Sequence, residues 1–154
     1  MKSFLLATVL MAFSITGYSQ NTQPYLSLAE AKRIADAAEA KAIENEWTVV
    51  IAIMDAGGHL ILLRKIDGTQ IGSVEVAQAK AKSAVYFKRS TKVFEDGVND
   101  GNNRLMTLPN AVALEGGVPI FRDGHCIGAI GISGVRSDQD GIIAEAGLSV
   151  LESK

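Results

Sequence analysis

GGVPIFRDGHCIGAIGISG, residues 116–134, carries the apolar alternation of two strands around an Asp123-Gly124 turn, yet six of its 19 residues are glycine. An Asp-Gly pair between alternating apolar residues is a strong short-range hairpin signal. Glycine inside a strand weakens it and is kept where the backbone bends or where a neighbour comes too close for a Cβ. Gly128, Gly131 and Gly134 recur at every third position, so they alternate between the two faces of a strand. Clearing one face for a flat ligand would need an even spacing. The pattern instead predicts close packing of an alanine-rich helix such as the first one, with Gly116-Gly117 and Gly134 making room at the ends.

Working outward from this hairpin, Ser27 and Glu30 form a capping box that starts a helix running to about Glu46. Leu28, Ala31, Ile34, Ala35, Ala38 and Ala42 mark its inward face. Thr48 to Asp55 and His59 to Ile66 form a second hairpin around Ala56-Gly57-Gly58. A second helix covers Ser73 to Lys88, with Val74, Ala77, Ala81, Ala84 and Val85 inward and Lys80, Lys82 and Lys88 outward. Ser90 to Leu114 is irregular, apart from a short helix capped by Thr91, and a last helix runs from Asp138 to about Glu152 behind a weaker box of Ser137 and Asp140. Hairpins separated by helices predict an α+β domain, a central antiparallel sheet flanked by helices, with no Rossmann crossover.

Residues 1–19 read as a cleaved signal peptide, with Lys2 ahead of an apolar run from Phe4 to Ile15, and residues 20–26 as a linker to a single domain over 27–154. The chain is then exported, to the periplasm or the extracellular space, and soluble, because no segment reaches the roughly 20 apolar residues of a membrane span. The net charge of −2 and the lack of a basic cluster argue against nucleic acid as a partner. Cys126 is the single cysteine, so no internal disulfide is available. It is expected to be buried in its strand, with a soft ligand or redox thiol as the alternative.

No P-loop, H-E-x-x-H, G-x-S-x-G or four-ligand zinc spacing occurs. No serine is singled out by its spacing from a histidine as a triad nucleophile. What stands out is that His59 and His125 each follow a hairpin turn. If the first strand pairs antiparallel with the last, both turns fall at one end of the sheet, with the histidines roughly 10 Å apart. From there they could ligate a metal or haem iron, or simply serve as polar turn flanks. Cys126 alternates to the face opposite His125, so the two do not serve one iron from one side.

The motifs L-S-L-x-x-A at 26–31, V-V-I-A-I-M-D-A-G-G-H at 49–59, I-D-G-T-Q-I-G-S-V-E-V-A at 66–77, K-A-K-S-A at 80–84, G-G-V-P-I at 116–120 and D-G-x-C-I-G-A-I-G-I-S-G at 123–134 resemble the GlcG/HbpS-like haem-binding family. The resemblance covers nearly all of residues 27–154 and implies a profilin-like fold, homo-oligomers and, for exported members, haem as ligand. It implies haem neighbours among His59, His125, the hydroxyls of Ser83 and Thr91, Lys80 and the irregular segment. Three departures stand out: Ser83 where relatives carry threonine, Gln139-Asp140-Gly141 where many carry an acidic pair, and Lys65-Ile66 where Arg-Met is usual. Two further readings stay open. One is an enzyme or sensor for a small organic acid held by Lys80, Lys65 or Arg104, with no reaction assigned; the other is an oligomeric module without a ligand.

Overall fold

The computed structural model describes residues 23–151. The signal-peptide reading, the first three residues of the linker (20–22) and the end of the last predicted helix lie outside the described residues. Within them, α1 (Leu28–Glu44), β1 (Val50–Asp55), β2 (Leu60–Lys65), α2 (Ser73–Phe87), α3 (Lys92–Asn99), β3 (Gly117–Arg122), β4 (His125–Ser133) and α4 (Ser137–Leu148) follow one another, with 3-10 turns at Asn103–Thr107 and Ser149–Leu151. One four-stranded sheet has the order β2-β1-β4-β3, and every neighbouring pair is antiparallel. The first strand thus pairs with the last, and the α+β architecture is as read from the sequence.

Alternation along β1 sorts the core into two layers. Ile51 and Ile53, with Ile130 and Ile132 of β4, face α1 and α4 over Ile34, Ala38, Ile143 and Ala144. Val50, Ala52 and Met54, with Ala129, face α2 over Ala77, Ala81 and Ala84. The first layer is filled by isoleucine and the second by alanine, so α2 lies closer to the sheet than bulky side chains would allow.

The glycines of the quoted hairpin answer to this closeness, and the helix they admit is α2 rather than α1. A Cβ on Gly131 would run into the backbone of Ala77 and Ala81, and one on Gly117 into the carbonyl of Lys80. Gly128 faces the other way, toward Met54 O and Leu26, and Gly134 meets the backbone of Thr48. The α1 contact is made instead by Gly147 of α4, against Ile34 O and Ala38. Asp123 (φ 50°) and Gly124 (φ 77°) both take positive φ, as a two-residue type I′ turn requires.

Three further expectations need correction. Leu28 is 52% exposed, and the buried face of α1 begins at Ala31. The N-cap of α4 is Arg136, whose N–H donates to Gln139 Oε1 at 3.3 Å, because the Asp140 carboxylate is engaged elsewhere. Cys126 is only half-buried at the start of β4, where its thiol donates to Gly128 O at 3.5 Å.

This packing sets a contrast between two glycines. Gly131→Ala is expected to lose at least about 1–3 kcal/mol by overpacking. Gly72→Ala, with nothing within 4 Å of the new methyl, should be neutral or gain up to about 1 kcal/mol. Urea unfolding of both variants measures the difference.

Candidate functional site

The sequence-predicted site residues fall into two separate groups. Lys80, Ser83 and Thr91 are buried between α2, β3 and the irregular segment. His59 and His125 are exposed at the turn end of the sheet.

In the buried group Lys80 departs most from expectation. Its side chain is 2% exposed rather than outward, and Nζ lies 2.7 Å from Asp140 Oδ2, which is equally buried. Val135 N–H donates to the other carboxylate oxygen at 3.3 Å. Lys80 is three residues from Ala77 and four from Ala84, so it shares the inward edge of α2. Gly116 and Gly117 let the chain pass directly over it.

Ser83 and Thr91 tie down the segment that follows α2. Ser83 Oγ accepts the Val112 N–H at 3.1 Å, and Thr91 exchanges bonds with Gly117, N–H to carbonyl at 2.9 Å and hydroxyl from N–H at 2.9 Å. Glu95 holds the same region, accepting the Glu115 N–H and, at 2.7 Å, the Ser137 hydroxyl. The sequence reading passed over Glu95 and Glu115. The one signal for Glu115 was Gly141: a Cβ there would strike the Glu115 carboxylate, which occupies the space of the side chain missing from 141. Burial pushes the Glu115 carboxyl up, Lys92 opposes this, and Glu95, Asp96 and Asp138 add to it.

At the rim, Asp55 Oδ1 accepts the N–H groups of Gly57 at 2.8 Å and His59 at 2.9 Å, and lies 3.3 Å from His59 Nδ1. Partial burial would raise the Asp55 carboxyl, but these N–H groups and the His59 ring hold it below the usual range. The carboxylate thus stands beside Nδ1 of the imidazole; metal-ligating histidines commonly have a carboxylate near the ring nitrogen that does not bind the metal. The His59 side chain is 81% exposed. The His125 side chain has no hydrogen-bond or ion-pair partner among the described residues. Asp55 is level with Gly128, so His125 stands three residues further out; strand geometry then puts the histidines roughly 14 Å apart rather than 10.

Two depressions flank the His59 turn. On the α2 side, Met54, Gly58, Leu60, Gln78 and Ala79 line about 350 Å³ together with one carboxylate, Glu75, and one cation, Lys82. On the α1 side, Tyr25, Leu26, Asp55, Ala56, Ile61 and Ile127 line about 330 Å³. A third hollow of about 500 Å³, at Tyr25, Ser27, Glu30 and Arg122, has its charges already paired, Arg122 to Glu30 at 2.6 Å. Among the described residues no three histidine, cysteine or carboxylate side chains gather as a metal cage.

The buried pair gives two expected outcomes. Asp140→Ala leaves Lys80 charged and unpaired, and should cost about 3–5 kcal/mol of stability. Burial pushes the Asp140 carboxyl up to about 6, against the pull of Lys80. With its folded value above its unfolded one, Asp140 favours folding fully below about pH 4 and loses that contribution as pH rises through about 6. Denaturation at pH 4 to 7 should show the stability of the wild type relative to Asp140→Asn falling across this window; parallel profiles would mean that Asp140 stays ionised.

The sequence profile of the family described as "Haem degrading protein HbpS-like" matches residues 26–149. Protein GlcG of Escherichia coli K12 is 40% identical over 112 residues, covering 73% of this chain and 84% of its own. The crystal structure titled PduOC:Heme Complex superposes with a TM-score of 0.74 at 30% identity, over 82% of this chain and 94% of that one. The crystal structure of HbpS gives 0.78 at 28% identity, over 90% and 99%. The fold is thus that of these solved relatives, and the chain belongs to the HbpS-like family.

Proposed function

We propose that the protein binds haem, as an exported homo-oligomer that buffers, takes up or senses it, and that His59 is the iron ligand. The observation that carries the reading is the Asp55–His59 contact at 3.3 Å beside two shallow depressions. An imidazole with a carboxylate beside Nδ1 is a donor well suited to a haem iron. The relative solved as a PduOC:haem complex and the family's description point to the same ligand. Bound haem would supply an iron centre, and this chain would supply the His59 imidazole with the Asp55 carboxylate beside it.

Export rests on Lys2 and the apolar run Phe4–Ile15; among the described residues no helix is long and apolar enough to cross a membrane. Assembly rests on exposed Val93, Met106, Leu108 and Leu114 on and after α3. The organic-acid reading is weaker, since the charge of Lys80 is neutralised by Asp140, and Lys65 and Arg104 are exposed.

Absorbance titration with haem tests the assignment. His59→Ala is expected to weaken binding by about tenfold or more, a cost of about 1.4 kcal/mol. His125→Ala and Cys126→Ala should change it less. A full Soret band of unchanged affinity in His59→Ala would remove this ligand from consideration.

A further inference from the structure

We propose that the outer edge of β2 pairs antiparallel with β2 of a second copy of the chain, about a twofold axis at Leu63, so that two four-stranded sheets join edge to edge. The inference makes no use of the haem reading. Its surface lies at the sheet edge opposite β3, the strand that Thr91 ties to the start of α3.

The two edge strands are finished differently. A strand edge presents a row of N–H and C=O groups that takes up another strand unless something blocks it. On β3, Thr91 occupies both outward groups of Gly117, and Pro119, the next outward residue, has no N–H to offer. β2 carries no such device, since Leu60–Lys65 holds neither proline nor glycine. Ile66 N–H donates to Val49 O at 3.0 Å, so Arg64 and Leu62, two and four positions back, also turn their backbone groups to β1. Leu63 and Lys65 then turn theirs outward, and among the described residues these groups meet no partner. The register shift between Ile53 and Met54 leaves Ile61 as the extra residue, so the regular free run begins at Leu62.

Charge decides how a second copy is set. Asp36 and Glu39 of α1 hold Arg64, each at 2.7 Å, which leaves Lys65 as the cation of this strand without a carboxylate among the described residues. An antiparallel copy with its axis at Arg64 or at Lys65 brings that cation against its own image. The axis at Leu63 sets leucine against leucine, Arg64 across from Leu62 and Lys65 across from Ile61 of the other copy. Aliphatic pairs stabilise a sheet and like charges directly opposite destabilise it, so this register is the favoured one. The two leucines exchange a pair of backbone hydrogen bonds across the axis. A strand pair by itself falls short of the roughly 800 Å² per partner of a stable contact, and exposed aliphatic side chains on both layers add to it. Asp36, Glu39 and Ile43 fall on one stripe of α1, and the first two reach β2, which puts exposed Ile43 beside the same edge. On the other layer Ile71, 88% exposed, stands one turn before Val74, which packs with Leu63 on the cluster of Val50, Ala52 and Ala77.

Cysteine crosslinking locates the contact. In a Cys126→Ala background, Leu63→Cys places thiols at the axis, where facing Cα atoms are about 5.5 Å apart and a disulfide can close. Lys65→Cys places them four strand positions apart, about 13 Å, beyond that reach. Under mild oxidation Leu63→Cys should run mainly as covalent dimer and Lys65→Cys mainly as monomer. Lys65→Pro removes an outward N–H and keeps the bonds to β1; it should weaken association about tenfold or more by sedimentation equilibrium, with circular dichroism as the folding control. Met106→Glu, on the α3 side, should leave the Leu63→Cys crosslink as it is. No crosslink from Leu63→Cys, equal crosslinking of both cysteine variants, or a wild type that stays monomeric at about 100 µM would each overturn the proposal. Association that falls with Met106→Glu and is unmoved by Lys65→Pro keeps the α3-side assembly of the functional reading and rejects the β2 edge. Crosslinking at Leu63 together with association that is unmoved by Met106→Glu does the reverse.

Discussion

The approach of α2 to the sheet is the constraint on which the rest of the molecule depends. It exists because both surfaces are stripped of bulk: Ala77, Ala81 and Ala84 on the helix, Ala52, Ala129 and Gly131 on the strands. Little apolar area is buried per residue in such a layer, so its stability draws on close contact and on hydrogen bonding more than on large side chains. The opposite layer, with its isoleucines packed over α1 and α4, supplies the ordinary hydrophobic term.

Closeness also explains why a lysine can sit inside. With α2 pressed onto Gly117, Lys80 has no route to water past the chain that crosses it, and its charge is met by Asp140 arriving from α4. A pair of this kind adds little net stability compared with apolar packing, since each ion gives up its hydration. What it does fix is position: α2, α4 and the strand entrance at Gly116 can meet in only one arrangement that leaves no buried charge alone. Thr91, Ser83 and Glu95 extend the same logic, each satisfying a backbone group of the irregular chain between α2 and β3.

The exposed end of the sheet follows from the opposite economy of contacts. Both hairpin turns emerge there because β1 and β4 are antiparallel neighbours. The β1–β2 turn is held by Asp55, which satisfies the turn's backbone N–H groups and lies 3.3 Å from the His59 ring. A rigid scaffold thus presents a small polar loop beside a groove lined by apolar side chains and by one charge of each sign, the usual relation between a packed domain and a binding site.

The sequence by itself determined the elements, their order and the polarity of both hairpins. The signals were local ones: the Ser27–Glu30 box, the β-branched run ending at Asp55, the Asp123-Gly124 turn and the alanine spacing on α1 and α2. It also brought the two histidine turns to one end of the sheet, since strand direction fixes that once β1 and β4 are paired. The tertiary structure alone decided which helix fills the glycine gaps, because glycine at every third position clears space on both faces without saying what enters it. It alone decided the state of Lys80: helical spacing places this residue at the border of the inward face, and only Asp140, sixty positions later, makes burial tolerable. The occupation of Gly141's space by Glu115 and the outward shift of His125 past the end of β1 are likewise relations between distant segments. They depend on distances through space, which residue order does not encode.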